Sequence, residues 1–211
     1  YWASDNIIDS FSKGKTIDDF IHGIYSGNVT TKNNVYLKRV WEVNARSIGE
    51  DWILYAKGGG YRKWYGNIEY IIDVSKDALK FYKDNATSYI MDKKYWFKKG
   101  ITYTDLTTGD FSARYLREDM LFDCAGPGIL VDEHLEYLMS FLNTKLTMIY
   151  FSILNPSLHY EIKDIKRLPI IFSESHKPRI DSLVEENIKK SKIDWDMHET
   201  SWDFKRSPLL S

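Results

Sequence analysis

Apolar residues recur at helical spacing from residue 131 onward. One run follows Asp132, which is placed to cap a helix, and stops at Asn155–Pro156. Its apolar positions are Leu135, Leu138, Met139, Leu142, Leu146, Ile149, Tyr150 and Ile153, of which we expect Leu138, Leu142, Ile149 and Ile153 to be buried. A last helix is predicted to begin near Pro178, with Ile180, Leu183, Val184 and Ile188 on one face. Residues 159–171, between the two helical regions, are predicted to be extended.

Residues 1–130 have a different pattern, with short apolar runs separated by polar and glycine-rich stretches. Runs of β-branched and aromatic residues predict strands at residues 35–43, 52–57, 67–74, 101–106, 111–116 and 120–124. Helices are predicted at residues 4–14 and 75–85, with a helical turn after residue 16, a loop at residues 28–34 and a break at residues 125–128. The layout predicts one α+β domain, residues 1–211, in which a strand-and-loop half (1–130) packs with a helical half (131–211).

Charge is distributed unevenly along the chain. The net charge is −1, yet residues 31–117 contain 16 cations and 10 anions, while the segments on either side are acidic. Such asymmetry predicts a localised anionic partner, although a solvated lysine-rich face would give the same count. No apolar stretch approaches the roughly 18 residues that a membrane span needs, and the single Cys124 is compatible with a reducing compartment. We therefore expect a cytoplasmic protein without a membrane partner.

The stretch KGGGYRKWYGN, residues 57–67, lies between two predicted strands and combines bare backbone, cations and flat rings. Glycines such as Gly59 let backbone N–H groups approach a phosphate closely. Lys57, Arg62 and Lys63 add positive charge and are predicted to hold phosphates. Trp64 and Tyr65 offer faces on which bases could stack, and they fit equally well as hairpin core residues.

A second group of polar residues is suited to reading bases. Thr31, Lys32, Asn33 and Asn34 form a run of short donors and acceptors, and Ser112 and Arg114 follow in the sequence FSARY. Amides and guanidinium groups match base edges bidentately, whereas hydroxyl groups bind phosphates. Thr31, Asn33, Asn34 and Arg114 are therefore the predicted base readers.

Catalytic patterns are sparse. The five histidines lack metal-ligand spacing, so no metal site is predicted. Glu161 and Lys163 match the Glu-x-Lys half of many metal-dependent nuclease sites, for which Asp123 or Asp132 would be the upstream carboxylate. Glu-x-Lys occurs by chance in most charged sequences, so the nuclease is a minor alternative.

Several long stretches carry a family resemblance: AKGGGYRKWYGNIEYIIDV, YWFKKGITYTDLTTGDFSARYL, FLNTKLTMIYFSILNPSLHYEIKDIKRLPI and NIKKSKIDWDMHETSWDFKRSPLL. They resemble the C-terminal part of large adenine-specific DNA methyltransferases, namely the PglX-like enzymes of the BREX phage-exclusion system and related type IIG restriction–modification proteins. In that family a Rossmann-like domain transfers a methyl group from S-adenosylmethionine to adenine N6. A target-recognition domain, similar to those of type I specificity subunits, then selects the DNA site.

The resemblance implies a target-recognition domain without its catalytic domain. Neither a cofactor motif nor an Asn-Pro-Pro-Tyr motif lies in this chain, and Tyr61 stands where the family often has Phe. We therefore expect no catalytic residue and no cofactor here, because S-adenosylmethionine would bind the methyltransferase domain. Duplex DNA and that methyltransferase domain are the expected partners. A protein–protein docking module without DNA contact is the main alternative.

Overall fold

The computed structural model describes residues 3–210, apart from the side chains of Lys13 and Pro208. Within them the α-helices are α1 Asp5–Lys13, α2 Asn33–Tyr36, α3 Lys76–Asp84, α4 Leu135–Leu142, α5 Lys145–Leu154, α6 Ile162–Lys166 and α7 Lys177–Asp196. The strands are β1 Lys15–Thr16, β2 Gly23–Tyr25, β3 Leu37–Arg39, β4 Trp52–Ala56, β5 Tyr70–Asp73, β6 Gly100–Thr102, β7 Arg114–Leu116, β8 Met120–Phe122, β9 Gly128–Leu130 and β10 Pro169–Ile170. The predicted mixture of α and β structure is confirmed.

Two four-stranded sheets form the strand-rich half. One has the order β2-β9-β6-β7 and is antiparallel throughout. The other has the order β3-β5-β4-β8, in which only the β4–β8 pair is parallel. The predicted hairpin is therefore present, because β4 and β5 pair directly and the glycine-rich stretch connects them.

Each sheet contributes to its own hydrophobic core. Ile101 and Ile129 of the first sheet pack with Leu138 of α4 and Phe151 of α5. The second core gathers the buried residues of β4, β5 and β8, and Trp195 of α7 completes it. The long helix α7 thus covers the second core, while Val184, one-third of the way along it, lies in the first. None of the helices within residues 3–210 is long and apolar enough to cross a membrane.

A short third sheet joins distant parts of the chain. Lys15 pairs with Ile170 and Thr16 with Pro169 in the antiparallel β1–β10 ladder. Next to it, the ring of Phe11 on α1 lies edge-on to the ring of Tyr150 on α5, with centroids 5.2 Å apart. Residues near the beginning of the described chain are therefore built into the helical half.

Several short predicted elements differ from the structure. The strand predicted at residues 35–43 is reduced to Leu37–Arg39, because the residues before it belong to α2. Residues 159–171 are not simply extended, since Ile162–Lys166 form the helical turn α6, which buries Asp164 and Ile165. The predicted loop at residues 28–34 ends in α2, whose first residue is Asn33. His134, in a left-handed conformation, and not Asp132, precedes α4. These are corrections of short segments, where a single turn gives too few positions to display a period.

The apolar run from Leu135 to Ile153 forms two helices instead of one continuous face. The chain bends at Asn143–Thr144, where the hydroxyl of Thr144 accepts a hydrogen bond from the Thr147 backbone N–H. This bend rotates α5, so that Tyr150 and Phe151 are buried while Ile149 is half-buried. The expectation that Ile149 and Ile153 are buried is therefore wrong, because Ile153 is 39% exposed. Leu138 and Leu142 are buried as predicted.

We predict that Leu142→Ala lowers the free energy of unfolding by about 2–5 kcal/mol, because Leu142 is 1% exposed and its truncation leaves a cavity. Ile153→Ala is the matched control on the next helix and is expected to cost less than about 1 kcal/mol. Urea unfolding followed by tryptophan fluorescence measures both. Equal losses for the two variants would contradict this placement of the apolar faces.

Candidate nucleic-acid interface

The connection between β4 and β5, residues 57–69, begins at a buried carboxylate. Lys57 Nζ lies 3.0 Å from Asp123 Oδ2, and the hydroxyl of Tyr55 donates to the same oxygen at 3.1 Å. Asp123 Oδ1 accepts from the Ala125 backbone N–H at 2.9 Å. Burial is the main cause of the raised pKa of Tyr55. The carboxylate of Asp123, which is 3% exposed, raises that pKa further. Lys57 therefore serves an internal ion pair in this structure.

Close backbone packing explains why glycines follow Lys57. Gly58 has a φ of +72°, and a Cβ placed there would lie 2.5 Å from the carbonyl oxygen of Ala125. On the facing segment, a Cβ at Gly126 would lie 2.5 Å from the Gly58 nitrogen. The next two glycines are exposed, and Gly60 has open space around it. The first glycine thus packs two chain segments together, whereas Gly59 and Gly60 leave backbone accessible.

The two cations in the middle of the loop contact the helical half. Arg62 pairs with Asp194 of α7, and its guanidinium carbon lies 5.1 Å from the centre of the Trp195 ring. Lys63 Nζ donates to the backbone carbonyl of Asn143, at the bend between α4 and α5, at 2.7 Å. Both side chains are half-buried. These contacts connect the strand-rich half to α4, α5 and α7.

The aromatic pair at residues 64 and 65 belongs to the protein interior. The backbone N–H of Trp64 donates to the Ala113 carbonyl at 2.9 Å, and the backbone N–H of Tyr115 donates to the Trp64 carbonyl at 2.8 Å. These two bonds extend the sheet beside β7. Tyr65 is buried in the second core, where its hydroxyl accepts from Arg117 at 3.1 Å. Of the two interpretations of these aromatics, core packing describes Tyr65, and Trp64 is half-buried against the first core.

Arg114 is a buried cation with neutral partners. It is 1% exposed, and its guanidinium donates to Thr104 Oγ1 at 3.1 Å, the Arg62 carbonyl at 3.4 Å and Ser112 Oγ at 3.5 Å. Burial first, and the charge of Arg62 second, lower its pKa to about 10. A base reader needs an accessible guanidinium, which Arg114 does not offer in this structure. Ser112 is buried as well and accepts from the Arg62 N–H at 3.2 Å.

The polar turn at residues 31–34 is exposed and ordered by neighbours. Thr31 adopts a left-handed backbone with a φ of 61°. Its hydroxyl donates to the Thr87 carbonyl at 2.9 Å and lies 3.0 Å from Ser88 Oγ. Thr30, which is buried, donates its hydroxyl to the amide oxygen of Asn33. The turn therefore displays Lys32, Asn33 and Asn34 on the surface in a fixed arrangement.

Helix α3 lies beside this turn. Ser75 caps α3 by accepting from the Ala78 N–H, and the ring of Tyr36 stacks on Phe81 at 4.7 Å between centroids. Lys32 Nζ lies 4.9 Å from the centre of the same Phe81 ring. The exposed charged residues of α3 are Lys76, Lys80 and Lys83, together with Asp77 and Asp84. We call the turn and these α3 residues the turn–α3 surface.

The twelve residues predicted to bind DNA thus separate into two groups. Thr31, Lys32, Asn33 and Asn34 share the turn–α3 surface. The other eight lie in the 57–69 connection or contact it, and most of them make hydrogen bonds or ion pairs within the protein. They are Lys57, Gly59, Arg62, Lys63, Trp64, Tyr65, Ser112 and Arg114. Sequence reasoning did not single out the α3 lysines or the segment Lys93–Lys99, although KKYWFKK is a clear run of cations around aromatic residues.

The residues of the nuclease alternative do not come together. Glu161 and Lys163 form an ion pair with each other at 2.8 Å on the surface, and that contact is the main reason that the pKa of Lys163 is raised. Asp123 is engaged by Lys57, and Asp132 faces His22 at 4.0 Å. Residues 3–210 contain no group of three or more His, Cys, Asp or Glu side chains placed to hold a metal ion. The geometry therefore gives no support to a metal-dependent nuclease here.

We predict that Gly58→Ala destabilises the fold by about 2 kcal/mol or more, because the new Cβ adds a backbone clash to an unfavourable positive φ. Gly60→Ala is the control two residues away, where φ is not positive and the space is open, and its effect should stay within about 0.5 kcal/mol. Thermal unfolding compares the two variants. If Gly60→Ala proves as harmful as Gly58→Ala, the loop does not have this backbone.

Comparison with known proteins points to one kind of enzyme, although no family model matches the chain. The whole chain aligns at 32% identity with "Adenine-specific methyltransferase PglX" of Lacticaseibacillus casei (strain Zhang), of which it covers 19%. It aligns, also over its whole length, at 30% identity with "Adenine-specific methyltransferase BrxX" of Escherichia coli O9:H4 (strain HS), of which it covers 18%. The resemblance inferred from the sequence is thus confirmed: the entire chain matches about a fifth of the length of these two adenine-specific methyltransferases.

Proposed function

We propose that this chain is the sequence-specific duplex-DNA recognition domain of an adenine-N6 DNA methyltransferase of the BREX or restriction–modification type. The observation that carries the proposal is the turn–α3 surface, on which preordered amides lie beside unpaired lysines. In such an enzyme, S-adenosylmethionine and the transfer chemistry would belong to a separate methyltransferase domain, and this chain would select the site.

The turn supplies the groups that read base edges. Asn33 accepts the Thr30 hydroxyl with its amide oxygen, and its amide nitrogen makes no hydrogen bond within residues 3–210. Asn34 presents its exposed amide on the same turn, while its backbone carbonyl accepts from Lys38 Nζ at 2.7 Å. An amide that offers both a donor and an acceptor matches the N6 and N7 edge of adenine. Because Thr31 fixes the turn through Thr87 and Ser88, less conformational entropy is lost on binding.

The lysines supply attraction for the phosphate backbone. Lys32, Lys80 and Lys83 are exposed, and none of them has a carboxylate within 4.0 Å among the described residues. Unpaired cations next to the reading turn would fix its register on the duplex without adding sequence information. The 57–69 connection takes a supporting role in this proposal, since Arg62 and Lys63 hold the strand-rich half on α7 and α4.

A second surface is suited to contact with the proposed partner domain. Ile171 is 74% exposed and lines, with Tyr137, Ile180 and Leu183, a groove of about 610 Å³ between β10 and α7. Exposed apolar side chains that lie together are typical of protein interfaces. We propose this groove as the docking surface for the methyltransferase domain. If the chain were a protein–protein docking module without DNA contact, which is the competing function, it would use the same groove.

We predict that Asn33→Ala weakens binding to the preferred duplex by about 1–3 kcal/mol while binding to unrelated duplexes stays unchanged, because a base-edge contact is lost. Lys80→Ala should weaken all duplexes about equally and reduce the salt slope by roughly one unit. The preferred duplex is first selected from a random pool with a full-length PglX-like enzyme that contains this chain. Fluorescence anisotropy over a salt series then measures both variants.

Lys189→Ala on α7 is the matched lysine control and should leave every duplex affinity and the salt slope unchanged. A chain with no salt-dependent duplex binding would contradict the recognition function and favour the docking module. If Asn33→Ala reduced binding to all duplexes alike, the turn would be a phosphate contact and not a base reader.

A further inference from the structure

The segment Lys93–Lys99 concentrates charge around one exposed ring. Lys93, Lys94, Lys98 and Lys99 are all exposed, and none of them has a carboxylate within 4.0 Å among the residues that the structure describes. Lys94 Nζ lies 4.9 Å from the centre of the Tyr95 ring, and Lys93 Nζ lies 5.6 Å from that of Trp96. These contacts orient the ammonium groups but leave their charge uncompensated.

Phe97 stands out in the middle of this segment. It is 44% exposed although it is a large apolar residue, and its backbone has a φ of 54°, which is unfavourable for any residue with a bulky side chain. The surrounding structure holds it there. The side chain of Asp92 caps the preceding turn by accepting from the Lys94 N–H at 2.9 Å, and the buried Trp96 donates its indole N–H to the Met91 carbonyl at 2.9 Å. This backbone presents the Phe97 ring to solvent, edge-on to the Trp96 ring with 5.9 Å between the centroids.

A groove of about 670 Å³ opens beside this ring. Its wall includes the rings of His22 and Tyr95, and Lys94, Lys98 and Lys99 line it as well. Two carboxylates, Glu118 and Asp132, also face it, so its three lysines outnumber its carboxylates by one. Its volume lies within the range of cavities that hold small organic ligands.

We propose that Lys93–Lys99 is a binding site for single-stranded nucleic acid, in which the lysines hold backbone phosphates and Phe97 stacks on an unpaired base. Ring faces combined with uncompensated cations are the usual composition of single-strand sites, since every base has a π face and every nucleotide a charge. A paired base in a duplex has no free face, so this site differs in its ligand from the turn–α3 surface. The inference does not depend on duplex reading.

An acidic protein segment is the other anion that the lysines could attract. Its carboxylates would gain nothing from the exposed Phe97 ring, whereas a base gains a stacking partner. The contrast between charge alone and charge with stacking therefore decides between them, and an abasic strand of the same length isolates the charge.

The test uses fluorescence anisotropy of this chain with a fluorescein-labelled dT₁₂ strand, an abasic 12-mer and labelled polyglutamate. Phe97→Gly removes the ring and also suits the left-handed backbone, so the variant should fold with an unchanged or higher Tm. We expect it to bind dT₁₂ about 5- to 100-fold more weakly and to bind the abasic strand as the unaltered chain does. Phe97→Trp, which keeps a flat ring, should retain the affinity for dT₁₂.

Charge is tested separately in the triple variant Lys94→Gln, Lys98→Gln and Lys99→Gln, which should reduce the salt slope for dT₁₂ by roughly two units. Trp41→Ala, at another exposed aromatic, and Lys189→Gln are the matched controls and should change neither quantity. Equal affinity of the unaltered chain and Phe97→Gly for dT₁₂ would overturn the proposal. So would polyglutamate binding as tightly as dT₁₂, which would assign the segment to an acidic protein. Because the turn–α3 variants and duplex probes are not involved, neither result bears on duplex recognition.

Discussion

The buried carboxylate of Asp123 is the constraint on which the arrangement of the strand-rich half depends. It follows β8 directly, and it accepts hydrogen bonds from Tyr55 on β4, from Lys57 at the start of the long connection and from the Ala125 backbone. Its own backbone forms a bridge with Asn28, three residues before the polar turn at residues 31–34. Removing Lys57, the cation of this pair, would leave the buried carboxylate uncompensated, which in buried ion pairs typically costs about 3–5 kcal/mol. One side chain therefore fixes the relative position of a sheet and two loops.

The cations of the glycine-rich connection all contact other parts of the protein. They lie against Asp123, Asp194 and the Asn143 carbonyl, so the positive charge that is conspicuous in the sequence is largely used within the protein. Surfaces with uncompensated charge lie elsewhere, on α3 and in the segment Lys93–Lys99. Arg114 is also used within the protein, although its partners are neutral. Its guanidinium donates to Thr104, Ser112 and the Arg62 carbonyl, and the last of these bonds anchors the 57–69 connection.

Local patterns predicted the elements that local forces determine. The β4–β5 hairpin was recognisable from two apolar runs around a glycine-rich stretch, and α3 from Ser75 ahead of an amphipathic segment. Strand β9 was not recognisable, because Gly128–Leu130 is three residues long and follows a break. Neither was the burial of Arg114, whose partner Arg62 lies 52 residues away. The surroundings of the candidate site residues could not be predicted, since whether a lysine is free or paired depends on distant chain segments that no period in the sequence reveals.

The small β1–β10 ladder has a consequence for the order in which the molecule is assembled. Lys15 and Ile170 are partners although more than 150 residues separate them. At a synthesis rate of about 5–20 residues per second, residues near Lys15 wait roughly 8–30 s before β10 exists. By the end of that interval the two large sheets have all their strands, and until then α1 and the 3₁₀ turn Ile17–Phe20 lack part of the surface on which they pack. The strands of both large sheets can thus pair during translation, whereas the two cores are complete only when α7 supplies Val184 and Trp195, a step set by chain topology.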